Sequence, residues 1–170
     1  MTIILETPRI FLRQFTEADA GLVLALNSQP ETVKYLHESL LQTEADAMNI
    51  LVNIILPQYK MNLGRWATHL KDSNAFIVWC GLKYRPELDE VDFGYRFMQK
   101  YWGQGYATEA AQYTLQYGLN TLRLKEITAR AHFQNIASLK VLEKIGMHFL
   151  KEEVVDDYPV KTFVAINSNV

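Results

Sequence analysis

The stretch Tyr101-Trp102-Gly103-Gln104-Gly105-Tyr106-Ala107-Thr108-Glu109-Ala110 carries two glycines and an alanine at alternate positions. It lies where a strand-like segment, residues 91–97, passes into a helix-like one. Glycine tolerates positive φ and puts no Cβ in the way of a ligand, so such a loop can turn its backbone N–H groups inward. The helix that follows adds unpaired N–H groups and a partial positive charge at its first turn. Strand, glycine loop and helix N-terminus together predict a binding site for the phosphate or pyrophosphate of a small molecule.

Three phosphate sites compete for this loop. A P-loop needs a Lys-Ser/Thr pair after the glycines, and here the chain runs into Tyr106-Ala107-Thr108 with no lysine. A Rossmann dinucleotide site needs Gly or Ala at the sixth position, which, counted from Gly103, is Thr108. Antiparallel strands ahead of the loop do not suit that fold either. The third is a cradle for the pyrophosphate of coenzyme A.

The elements that would position the loop follow from periodicity and turn chemistry. Residues 3–5 and 9–14 read as strand pieces either side of Pro8. Thr16-Glu17-Ala18-Asp19 and Thr43-Glu44-Ala45-Asp46 read as helix starts with a threonine cap and an acid three residues on. The second opens a longer amphipathic helix running towards Lys60. Residues 64–71, 76–85 and 91–97 read as strands, with turns at 71–74 and 86–89. A helix over 105–119, a strand over 126–131 and a short helix over 135–144 follow, with Gly146 as the helix stop. Residues 147–154 and 160–166 close the chain as a hairpin-like pair around Pro159. The fold class is therefore α/β, a mixed sheet rather than a doubly wound parallel one.

The chain has 170 residues, long enough for one domain with a real core, and we expect a single domain over 1–170. Its net charge of −2 provides no general basic field, so neither nucleic acid nor an anionic membrane is expected as a partner. A single cysteine, Cys80, sits in the apolar run Phe76-Ile77-Val78-Trp79-Cys80, which excludes an intrachain disulfide and predicts a buried, inert thiol. The first residues carry no secretory signature and no segment approaches the roughly 20 apolar residues of a membrane span. A cytoplasmic location is the expectation. His37, His69 and His148 share no metal-ligand spacing, so no metal is expected.

The run Asp92-Phe93-Gly94-Tyr95-Arg96-Phe97, followed by the glycine loop, resembles the cofactor core of the GNAT N-acetyltransferases. The match is to the branch typified by the ribosomal-protein N-terminal acetyltransferases of RimJ and RimL type. A second signature, Asn135-Ile136-Ala137-Ser138-Leu139-Lys140-Val141-Leu142-Glu143-Lys144-Ile145-Gly146-Met147, is similar to that family's asparagine-containing helix and the turn after it. The opening Glu6-Thr7-Pro8-Arg9-Ile10-Phe11-Leu12-Arg13, through Asp19, also resembles the branch.

The resemblance implies a mostly antiparallel sheet, splayed at its centre and flanked by helices, with acetyl-CoA as cosubstrate. It places Tyr95, Arg96 and Phe97 on the strand that pairs with the pantetheine arm. Trp102, Gly103, Gln104, Gly105, Tyr106, Ala107 and Thr108 would form the pyrophosphate cradle, and Asn135 and Ser138 would meet the pantetheine. Both of these are also good helix N-terminal residues. Trp102 stands where the family's pattern begins with Gln or Arg. Leu142 stands where many relatives carry a tyrosine that protonates the departing thiolate, so another group or solvent must do so.

Acetyl transfer to an amine needs a neutral nitrogen, a polarised thioester carbonyl and a path for one proton. Asp92 is the first candidate for proton acceptor, acting through water; it is equally a solvent-facing acid beside Glu87, Asp89 and Glu90. His132 is the alternative. A free α-amine, with a reference pKa of about 7.7–8.0, has a substantial neutral fraction near pH 7, roughly a tenth or more, whereas a lysine amine at about 10.4 costs several kcal/mol to deprotonate. A protein N-terminus or a low-pKa small amine is thus the expected acceptor, attacking directly in a ternary complex. Tyr35, His37, Tyr59, Trp66 and Tyr158 are aromatic candidates for its pocket. The competing readings are a non-catalytic acyl-CoA-binding sensor and an acetyltransferase for a small-molecule amine. Monomer and homodimer both remain open.

Overall fold

The computed structural model describes residues 1–36 and 38–170, so the reading of His37 lies outside the described residues. Segments of alternating or continuous apolar character form one eight-stranded sheet. Its strands are β1 (Ile3–Glu6), β2 (Ile10–Arg13), β3 (Gly64–Leu70), β4 (Phe76–Arg85), β5 (Glu90–Phe97), β6 (Glu126–His132), β7 (His148–Val155) and β8 (Tyr158–Ile166). Across the sheet they run β1-β2-β3-β4-β5-β6-β8-β7. Every pairing is antiparallel except that of β5 with β6. The expected mixed α/β sheet is therefore present.

The helices are α1 (Ala20–Asn27), α2 (Pro30–Val33), α3 (Glu44–Ile50), α4 (Leu56–Gln58), α5 (Tyr106–Gln116) and α6 (Ile136–Lys144). The predicted capping box at α3 is formed on both sides. The Asp46 N–H donates to Thr43 Oγ1 at 3.2 Å, and the Thr43 N–H donates to the Asp46 carboxylate at 3.1 Å. At the earlier start, the Thr16 N–H donates to Asp19 at 2.8 Å, but a 3₁₀ turn, Glu17–Asp19, precedes α1.

Two details differ from the sequence reading. The helix expected to reach Lys60 changes its winding at Leu51–Ile55, where the Leu56 N–H bonds back to the Leu51 carbonyl five residues earlier. Pro57 explains this, because it has no N–H to continue a regular ladder. The closing hairpin turns at Asp156 and Asp157, both in the left-handed region at φ 52° and 65°, and not at Pro159. Two consecutive left-handed residues make the tight primed turn that suits strand twist, and aspartate tolerates it. Pro159 sits in β8, opposite Val154.

Side-chain alternation divides the sheet into two faces. Trp66, Val78, Cys80, Leu82, Phe93, Phe97, Ile127 and Ala129 point to the face covered by α5 and α6. Trp66 is sealed there edge-on to Tyr117, with ring centroids 5.6 Å apart. Burial of an aromatic of that size is worth about 3–5 kcal/mol by truncation to alanine. On the other face, α1, α3 and the segment Leu51–Ile55 after it bring Val23, Leu26, Ala47 and Leu51 against Ala67 and Trp79. Beyond Trp79 that face turns polar, carrying Lys83, Asp92 and Arg130 by register. None of the helices in the described residues is long and apolar enough to cross a membrane.

Candidate active site

The parallel pair β5–β6 is in register at only two positions, Asp92 with Thr128 and Phe93 with Ala129. Beyond them the strands separate. β5 stays on β4 as far as Phe97 opposite Val78, while β6 stays on β8 as far as His132 opposite Val160. The facing edges at 95–97 and 130–132 thus present backbone amide and carbonyl groups with no strand partner across the gap, and an extended amide-bearing ligand can complete them. The wedge opens into a cleft of about 1010 Å³, at the top of the roughly 300–1,000 Å³ usual for small-molecule sites.

All the residues predicted to hold a cofactor line this cleft except Gln104: Tyr95, Arg96, Phe97, Trp102, Gly103, Gly105, Tyr106, Ala107, Thr108, Asn135 and Ser138. Gln104 turns away, its side-chain amide donating to the Lys100 carbonyl at 3.1 Å. The loop owes its shape to two left-handed glycines, Gly103 at φ 74° and Gly105 at φ 80°. A Cβ built on Gly103 would meet nothing within 4 Å, so its backbone stands open. Gly105 is the N-cap of α5, whose first N–H groups have no intrahelical acceptor. An open glycine backbone and a helix N-terminus meet there, which fits a pyrophosphate.

Side chains far away in sequence hold the loop. Trp102 Nε1 donates to the Phe97 carbonyl at 3.1 Å and pins the loop's start to the end of β5. Arg9 Nη1 donates to the Gln104 carbonyl at 3.0 Å, and its guanidinium lies 4.5 Å over the Tyr106 ring. Glu109, in the first turn of α5, accepts from Arg9 Nε at 2.6 Å, from the Arg9 N–H at 3.0 Å and from Thr7 Oγ1 at 2.6 Å. These three donors outweigh partial burial and hold the Glu109 carboxyl below its usual range. The sequence reading missed this clamp, because its partners stand some hundred residues apart.

Across the cleft, Asn135 Oδ1 accepts from the Ser138 N–H at 3.3 Å and caps α6, which leaves its side-chain NH₂ free to donate. Tyr95 donates its hydroxyl to Ser138 Oγ at 3.1 Å. Burial pushes the Tyr95 phenol up to about 12, so it remains a neutral donor. Leu142, one turn further along α6, is buried. The Arg96 guanidinium is committed elsewhere, donating to Asn27 Oδ1 and, at 2.8 Å, to Glu38 Oε2.

Asp92 sits where the wedge closes. Its Oδ1 is buried and accepts no hydrogen bond within the described residues, and Arg130 Nη1 approaches it only to 3.8 Å. Arg130 is engaged instead by Glu90, and by Glu153 at 3.0 Å. Burial therefore prevails over the nearby cations and raises the Asp92 carboxyl to about 6. The solvent-facing alternative for Asp92 is not what the fold builds. His132 also lines the cleft, but it stacks on Tyr35 and Phe133, and its Nδ1 accepts from the Gln134 N–H.

Of the aromatic candidates, Tyr35 and Tyr158 line the cleft. Trp66 belongs to the opposite core, and Tyr59 is a strut whose hydroxyl donates to the Arg65 carbonyl at 2.7 Å and accepts from the Phe15 N–H. Cys80 is fully buried against Thr114 Oγ1, its thiol pushed up to about 12 by desolvation.

Comparison with known proteins gives this geometry a family. The sequence matches the family model for the acetyltransferase (GNAT) domain over residues 9–148. It is 33% identical over 144 residues to the uncharacterised N-acetyltransferase YnaD of Bacillus subtilis strain 168, covering 84% of this chain and 81% of that protein. The GNAT-family acetyltransferase of Bacillus anthracis superposes with a TM-score of 0.80 at 27% identity, over 99% of this chain and 100% of that one. The ribosomal-protein-S5-alanine acetyltransferase of Vibrio fischeri has the same fold, with a TM-score of 0.80 at 17% identity over 97% of each chain. The chain belongs to the GNAT family of acetyltransferases, enzymes whose acetyl donor is acetyl-CoA.

Proposed function

We propose that this enzyme acetylates a free α-amine, that of a protein or peptide N-terminus or of a small molecule, by direct attack in a ternary complex. One observation carries the reading: the only orphaned buried carboxylate oxygen among the described residues belongs to Asp92, at the closed end of the β5–β6 wedge. A carboxyl raised to about 6 is ionised at pH 7, yet basic enough to take a proton from an amine of reference pKa about 7.7–8.0. It is poorly matched to lysine at about 10.4.

The chain's residues then divide the work. The glycine loop and the N-terminus of α5 hold the pyrophosphate, with Arg9 and Glu109 bracing them. The free edge of β5 at 95–97 and the Asn135 amide align the pantetheine arm, and a β5 N–H polarises the thioester carbonyl. Asp92 accepts the amine proton, directly or through water. Tyr95, neutral, donates its one hydroxyl hydrogen to Ser138 Oγ and so orients the Ser138 O–H, which donates towards the departing sulfur in place of the tyrosine that Leu142 replaces. Solvent delivers the final proton to the thiolate, as the Cys reference pKa of about 8.5 allows.

The test is thiol release from acetyl-CoA with matched peptides, one with a free N-terminus and blocked lysine, the other reversed. Turnover confined to the first is expected. Acetyl-lysine without any acetylated α-amine would overturn the assignment.

A further inference from the structure

Beside the cleft, running through the β5–β6 wedge from Ser138 and Leu142 of α6 to the polar sheet face that carries Lys83 and Asp92, lies a small cavity of about 170 Å³. Arg65, Lys83, Arg96 and Arg130 line it, against the acids Glu38 and Asp92. Two of these cations are already neutralised, Arg96 by Glu38 and Arg130 by Glu90 and Glu153. Arg65 and Lys83 are not. Among the described residues neither has a carboxylate within ion-pair distance.

Register sets them side by side. Arg65 pairs with Gly81 across β3–β4, and Lys83 is the next residue on that face of β4, itself directly opposite Asp92 on β5. Diagonal neighbours of this kind have Cα atoms roughly 7–8 Å apart, within reach of one carboxylate between two long side chains. The Arg65 guanidinium lies 4.3 Å over the Trp79 ring. Stacking uses the face of the guanidinium and leaves the N–H donors on its rim, the geometry that grips a carboxylate in two places. Burial above all lowers the affinity of both side chains for their protons, with Arg96 and Arg85 adding to it at Arg65 and Arg65 and Arg85 at Lys83, against the opposing pull of Asp92. An anion between Arg65 and Lys83 relieves the repulsion among these cations.

We propose that Arg65 and Lys83 form an anion subsite of the acceptor pocket, and that the acceptor is a primary amine with a carboxylate a few bonds from its nitrogen. Asp92 lines both the cavity and the cleft, so an amine at Asp92 and a carboxylate at Arg65 and Lys83 belong to one molecule. This rests on the acetyltransferase reading and narrows its acceptor. The carboxylate is that of a free amino acid, or the side chain of an acidic residue next to an N-terminal α-amine. Polyamines, which carry only positive charge, are disfavoured by the same two side chains.

The experiment compares kcat/KM for matched acceptors in wild type, Arg65→Met, Arg65→Lys and Lys83→Met. Free glutamate is set against its diamide, and a peptide beginning Ala-Glu against one beginning Ala-Gln. A preference for the anionic member of about 10- to 100-fold is expected, the range of one or two charge-assisted hydrogen bonds. It should collapse towards unity in Arg65→Met, shrink in Lys83→Met and partly return in Arg65→Lys. Preference within the amino-acid pair alone identifies a small-molecule acceptor, and within the peptide pair alone a protein N-terminus. Turnover without preference overturns the subsite and leaves the acetyltransferase reading intact. If no acceptor is turned over, that reading fails, and calorimetry with N-acetylglutamate and its diamide decides the subsite separately. Tighter binding of the acid, lost in Arg65→Met, upholds it, and equal binding overturns it.

Discussion

Glu109 Oε2 lies 2.6 Å from Arg9 Nε, a contact that ties the first turn of α5 to the N-terminal hairpin. The relationship matters because a carboxylate at that helix end repels an incoming pyrophosphate unless a cation screens it. Arg9 screens Glu109 and, through Gln104, also sets the loop. Arg9→Met should therefore weaken acetyl-CoA binding about 10-fold, since it leaves the Glu109 carboxylate with neutral donors only, unscreened beside the phosphates. Glu109→Gln removes the charge and should cost less. Calorimetric titration of the two variants checks this order, and equal losses would show that only loop position counts.

The glycine loop gives a second prediction. Gly105 occupies φ 80°, and a Cβ there would lie 3.3 Å from Arg9 Nη2. Gly105→Glu adds backbone strain of about 1 kcal/mol and a negative charge at the pyrophosphate site. Acetyl-CoA binding should fall at least 100-fold, while thermal melting shows a folded protein a few degrees less stable. Retained binding would place the pyrophosphate elsewhere.

How much of this was legible in the chain depends on the range of each signal. The threonine caps, the glycine loop and the strand-to-helix transition at Gly105 were readable because turn and cap chemistry act within a few residues. The residues predicted from the two motifs to hold a cofactor line the cleft, Gln104 excepted. Arg9, Arg65 and Lys83 were not readable, because their roles come from strand register and from contacts a hundred residues apart, which periodicity does not encode. Asp92 shows the boundary clearly. In the sequence it was equally a proton acceptor and a solvent-facing acid of an acidic run, and only the closing of β5 onto β6, which buries its Oδ1, separates the two. The turn at Asp156 and Asp157 was overlooked in favour of Pro159, the louder local signal.

Tyr95 supplies a third test. A phenol pushed up to about 12 keeps its proton throughout the working pH range. It acts as a fixed donor and not as a titrating acid. Tyr95→Phe leaves the Ser138 hydroxyl unoriented and should lower kcat about 10-fold, the order of one hydrogen bond to developing charge, with little change in KM for acetyl-CoA. The pH midpoint of the profile should not move. A shift of the alkaline limb in this variant would instead make Tyr95 a true proton donor.

Asp92 ties catalysis to stability with opposite signs. As the proton acceptor it should give kcat/KM an acidic limb near pH 6, and Asp92→Asn should lower the rate about 100-fold or more and remove that limb. The same raised carboxyl works against the folded state. Between about pH 4 and pH 6 the native protein holds a proton that the unfolded chain has released, so stability falls as pH rises through this window. Above it the penalty is complete, on the order of 2–3 kcal/mol for a shift of about two units at 1.36 kcal/mol each. Asp92→Asn abolishes the penalty while Glu90 and Glu153 still hold Arg130. The variant should thus melt higher than wild type at pH 7.5 and no higher at pH 4. A slower enzyme that is also more stable at neutral pH is the signature of a buried base kept for chemistry. A slower enzyme that melts lower at both pH values would mean that Asp92 serves the framework instead.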